Sequence, residues 1–79
     1  MAIHEIVLPK WGMTMQEGML AEWLVGVGDA VIESQPIARV ETEKVDAEIE
    51  APAAGTIIEL LVEAGTSVEV GTLVARLES

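Results

Sequence analysis

Glu41-Thr42-Glu43-Lys44-Val45-Asp46-Ala47-Glu48-Ile49-Glu50-Ala51-Pro52 occupies the middle of the 79-residue chain and reads as a strand, a tight turn and a second strand. Ile37, Arg39 and Glu41, then Val45, Ala47 and Ile49, alternate with Ala38, Val40 and Thr42, then Asp46, Glu48 and Glu50. That is the period of two imposed by a pleated strand. Glu43 and Lys44 form the two-residue tip. A tip this short leaves its side chains in solvent with few backbone options, so a lysine there is isolated at a fixed place. An enzyme that modifies an amine needs a target presented in this way.

Working outward, the chain repeats itself. A shift of 37 residues aligns Gly18-Met19-Leu20-Ala21-Glu22-Trp23-Leu24-Val25 with Gly55-Thr56-Ile57-Ile58-Glu59-Leu60-Leu61-Val62 and runs on through Arg39/Arg76 and Glu41/Glu78, with nine of 25 positions identical. Ahead of the glycines the shift becomes 43, aligning Glu5/Glu48, Ile6/Ile49 and Pro9/Pro52, so the first half carries six extra residues within Lys10 to Glu17. Each half (about 1–42 and 45–79) predicts four strands: near 3–8, 18–25, 31 and 37–42, then 45–50, 55–62, 68 and 73–78. Gly28-Asp29 and Gly65-Thr66 are matching turns in which glycine supplies a positive φ. Pro9, Pro36 and Pro52 fall at strand ends or turns. About 40 residues cannot bury an apolar face alone, so the halves must pack together. The expected fold is all-β: one domain, 1–79, a flattened barrel or sandwich of two four-stranded antiparallel sheets with quasi-two-fold symmetry. Such an axis carries the Thr42 to Val45 turn onto the gap between the two termini. It therefore places the termini together at one pole and Lys44 at the other, with the extra Lys10 to Glu17 loop at the Lys44 end.

Composition narrows the function. Without cysteine the chain has no disulfide, thiolate metal site or thiol nucleophile, and His4 alone cannot build a metal shell. Fourteen acids against four bases give a net charge of −10, which disfavours nucleic acid and anionic membranes. No apolar run reaches the ~20 residues of a bilayer span, and Met1 to Pro9 lacks a signal-peptide pattern; a cytoplasmic location is the expectation. Trp11 and Trp23 are the only aromatic residues, so the core should be aliphatic.

Pro9-Lys10-Trp11-Gly12-Met13-Thr14-Met15-Gln16-Glu17-Gly18, Gly28-Asp29, Glu41-Thr42-Glu43-Lys44-Val45 and Ala51-Pro52-Ala53-Ala54-Gly55, in this order and spacing, closely resemble the lipoyl domain of dihydrolipoamide acyltransferase (E2) components of 2-oxoacid dehydrogenase complexes. The resemblance implies that Lys44 carries lipoic acid in amide linkage, with Glu43 and Val45 as flanking recognition positions where the family commonly has aspartate and alanine. It also implies a set of partners: a lipoate ligase or lipoyl transferase, a thiamine-diphosphate E1 that loads the arm, an E2 catalytic domain that passes the acyl group to coenzyme A, and a flavin-dependent E3. The domain itself would be a non-catalytic carrier, monomeric in isolation. Trp11 after Pro9-Lys10 is similar to acetoin dehydrogenase E2 chains.

Other readings compete. Lys44 could be an ordinary solvated turn lysine on an unmodified interaction module. A biotin carrier shares the hairpin lysine but normally has methionine on both sides, where this chain has Glu43 and Val45. Glu41, Glu43 and Asp46 should favour the charged ammonium, leaving activation of the amine to the ligase. They are a solvated face first and a recognition surface second. Trp11, Met13 and Met15 suit either an adaptable partner patch or a loop tucked over a thin core, the reading we favour. Trp23 reads as a packing residue. Gly26-Val27-Gly28 lacks the third glycine and the helix of a dinucleotide fingerprint, and Ser34, Ser67 and His4 form no nucleophile and base.

Overall fold

The computed structural model describes residues 2–13, 15–43 and 45–79. These residues form eight strands and no helix: β1 (Ile3–Val7), β2 (Glu17–Trp23), β3 (Ala30–Val31), β4 (Pro36–Glu41), β5 (Asp46–Glu50), β6 (Gly55–Leu60), β7 (Thr66–Glu69) and β8 (Leu73–Glu78). They build two antiparallel four-stranded sheets, ordered β1-β8-β6-β3 and β5-β4-β2-β7. Adding four to each strand number of one sheet, and subtracting four where needed, gives the other. The registers repeat as well: Leu20 faces Val40 as Ile57 faces Leu77, and Glu22 faces Arg39 as Glu59 faces Arg76.

The core shows why neither half can fold alone. The described buried apolar residues fall into seven repeat-related pairs: Ile6/Ile49, Leu8/Ala51, Leu20/Ile57, Val31/Val68, Ile37/Val74, Ala38/Ala75 and Val40/Leu77. Each half supplies two strands to each sheet, so both walls of the core are complete only when the halves interleave, as close packing demands. Gly28 (φ 94°) and Gly65 (φ 86°) take the expected positive φ.

Two expectations are corrected. The alternation assigned to Ile37-Ala38 breaks, because both side chains are buried. A register shift between Pro36 and Ala38 on the β5 side inserts one residue and turns both inward. Val74-Ala75 repeat this in β8. Strands β2 and β6 end at Trp23 and Leu60, two residues earlier than predicted. Leu24 and Leu61 still donate backbone hydrogen bonds to Ile37 and Val74, and pairing continues past the register shifts after Leu20 and Ile57 as far as Trp23 and Leu60.

Candidate functional site

The β4–β5 hairpin closes through Thr42. Its N–H donates to Val45 O at 2.9 Å; its hydroxyl donates to the same oxygen at 2.7 Å and accepts the Val45 N–H at 3.1 Å. One side chain thus holds both sides of the turn, a local device that threonine offers and valine does not. Glu43 is exposed and Val45 is 55% exposed. Lys44, the predicted attachment residue, lies outside the described residues, and so does the expected charge state of its amine. Glu41, Glu43 and Asp46 are exposed around the tip, as a solvated acidic face requires.

The two-fold relation has a direct counterpart at the termini. Ser79 N–H donates to Ala2 O at 2.9 Å, as Thr42 N–H does to Val45 O at the repeat-related positions, whereas Ala2 N–H donates to Ser79 O at 3.0 Å where Val45 N–H turns to the Thr42 hydroxyl. The open end of the hairpin leads through Ser34, Gln35 and Ala51, which are joined by backbone hydrogen bonds, to Val31 and Gly55. Val31 and Gly55 face each other, and Gly55 abuts Glu78 and Ser79. The tip is therefore separated from the termini by the length of β4, about 20 Å at ~3.3 Å per residue.

The extra loop lies beside the tip, as expected. Trp11, Gly12 and Met15 form one wall of an open groove of about 660 Å³, Gly18, Met19 and Ser67 its floor, and Glu41, Thr42, Glu43 and Val45 the opposite wall. Across the floor, Ser67 Oγ donates to Glu17 at 3.2 Å. The loop tucks over the core at Met15, which packs against it and accepts the Trp11 N–H at 3.4 Å, whereas Met13 is 94% exposed. Trp23 is a packing residue whose Nε1 also donates to Val62 O at 2.8 Å, a bond that no sequence signal announced. Away from the tip, the Arg76 guanidinium sits between Glu59 and Glu5. The Glu59 hydrogen bond, opposed by some desolvation and aided by both carboxylates, raises its pKa further. His4 Nε2 and Ser79 Oγ, 2.9 Å apart, tie β1 to the C-terminal residue.

Two repeat-related sheets, with the Thr42/Val45 turn at the end away from Ala2 and Ser79, define a carrier-type domain. A family model described as "Biotin-requiring enzyme" matches residues 4–77, and the chain belongs to this biotin/lipoyl family. The solution structure of the lipoyl domain of the 2-oxoglutarate dehydrogenase complex from Azotobacter vinelandii superposes with a TM-score of 0.78 at 33% identity, covering 99% of this chain and 98% of that one. Within the family, the chain is thus a lipoyl-type domain. The acetyltransferase component of the Corynebacterium glutamicum pyruvate dehydrogenase complex is 41% identical over 96% of this chain. That of the Bacillus subtilis acetoin cleaving system is 41% identical over 89% of it. The chain spans 11% and 18% of those two relatives' lengths.

Proposed function

We propose that this domain is the lipoyl carrier of an E2 acyltransferase polypeptide, with lipoic acid in amide linkage on Lys44. The observation that supports it best is the hairpin tip, where exposed Glu43 and Val45 flank the lysine on a turn pinned by Thr42. The residues suit the group: a primary amine is what an activated carboxylate acylates, and exposed Glu43 and Val45 leave the turn open to a ligase. When bound, lipoate supplies the acyl- and electron-accepting disulfide. The turn that Thr42 pins joins the arm to the end of the domain away from the Ala2/Ser79 pole, and Glu43 and Val45 give the ligase its contacts. The chain contributes no catalytic residue of its own. Its value to a complex is a high effective concentration of the arm's end near the E1, E2 and E3 active sites. Near-equal identity to pyruvate and acetoin systems leaves the Trp11 similarity as the pointer toward acetoin.

Intact mass after incubation with lipoate, ATP and a lipoate ligase tests the assignment. Wild type should gain one lipoyl group, and Lys44→Ala and Lys44→Arg none. A gain of biotin from biotin ligase, with none of lipoate, would support the biotin carrier instead. No gain with either would leave an unmodified interaction module. Loading by a panel of purified E1 enzymes would then identify the complex.

A further inference from the structure

From the groove beside the hairpin tip, and resting on the lipoyl assignment above, we infer that the domain has its own seat for the sulfur-bearing end of the group carried on Lys44. The occupant is fixed by position and chemistry. Glu43 and Val45, the two sequence neighbours of Lys44, both line the groove, so anything attached to Lys44 begins at its edge. At about 660 Å³ the space falls within the range of small-molecule sites. Trp11, Met15, Met19 and Val45 offer an indole, two thioethers and a methyl-rich surface, the polarizable lining that suits a neutral disulfide ring. Glu17, Glu41 and Glu43 on the rim oppose an anionic occupant such as phosphate or a nucleotide.

The quasi-symmetry strengthens the assignment. At the opposite pole the loop equivalent to 10–17 is six residues shorter, and Gly55 lies directly against the Glu78 carbonyl and Ser79 Cα. The six additional residues therefore have a structural effect at the lysine pole alone, where they raise the wall that carries Trp11 and Met15. A weak site suffices there, since tethering through a short flexible stem gives an effective concentration on the order of millimolar.

The test is NMR on the domain after enzymatic lipoylation, with loading verified by mass. Contacts should appear between the lipoyl methylenes and the Trp11 indole, the Met15 methyl and the Met19 methyl. The fully exposed Met13 methyl should show none. In Trp11→Gln, which loses no side-chain hydrogen bond among the described residues and alters a loop position, loading should proceed as before while the Met15 and Met19 contacts weaken several-fold. A fully loaded domain with no contacts to Trp11, Met15 or Met19 would overturn the seat and leave the carrier function standing. Failure to load at Lys44 would remove the carrier function and the seat with it.

Discussion

Ser34 is the one described non-glycine residue with a positive φ, at 69°. Its repeat partner is Gly71, at 88°. The same turn is thus built twice, once with the residue that accepts this conformation freely and once with a residue that pays about 1–2 kcal/mol for it. Ser34→Gly keeps the backbone hydrogen bond from residue 34 to Ala51 and should stabilise the domain by about 0.5–1 kcal/mol, after the added freedom of glycine in the unfolded chain is subtracted. Gly71→Ala should lose about 1 kcal/mol; urea denaturation of both variants decides. At the tip, Thr42→Val keeps the branched shape and removes two hydrogen bonds, for an expected loss of about 0.5–1.5 kcal/mol. Gly55→Ala is more severe, because the new methyl meets backbone of Glu78 and Ser79. It should cost about 1–3 kcal/mol, and more than Gly18→Ala, where the nearest atoms belong to the Val40 and Met15 side chains.

Among the strands, Leu20 and Ile57 hold equivalent central positions, both fully buried. Leu20→Ala and Ile57→Ala should each cost about 2–5 kcal/mol; a large disparity in thermal or chemical unfolding would mean that the two halves share the core unequally. The eight strands, their two-sheet arrangement and the aliphatic character of the core were legible in the sequence, because the repeat ties each apolar position to a second one; the order of strands within each sheet was not. Position Ile37 was not, since alternation describes a regular pleat and says nothing of a bulge. A cue did exist: the apolar doublets Ile37-Ala38 and Val74-Ala75 each precede an arginine at the same repeat position. The six-residue insertion could be located from the sequence, but the groove it walls could not, since that depends on where Met15 turns back. The Trp23 bond to Val62 joins residues 39 apart, and no local pattern reports such a contact.

Taken whole, the molecule places a net charge of −10 on a body of 36 × 22 × 17 Å. At 0.01 M salt the screening length of about 30 Å spans most of it, and at 0.1 M it falls to about 10 Å. Self-repulsion among the carboxylates should therefore fade with added salt. The thermal midpoint should rise by about 4–8 °C for each ~1 kcal/mol relieved. A midpoint that falls instead would show that ion pairs such as Arg76 with Glu59 and Glu5 outweigh the repulsion. Ala2 and Ser79 exchange a pair of backbone bonds, as facing residues of a hairpin do, so a short covalent bridge can span the two positions. Inserting a single residue between Ser79 and Met1 and ligating the ends would give a two-residue bridge matching Glu43-Lys44 in length. Such a cyclic molecule could be opened at another loop, relocating where a host polypeptide enters and leaves without disturbing the sheets.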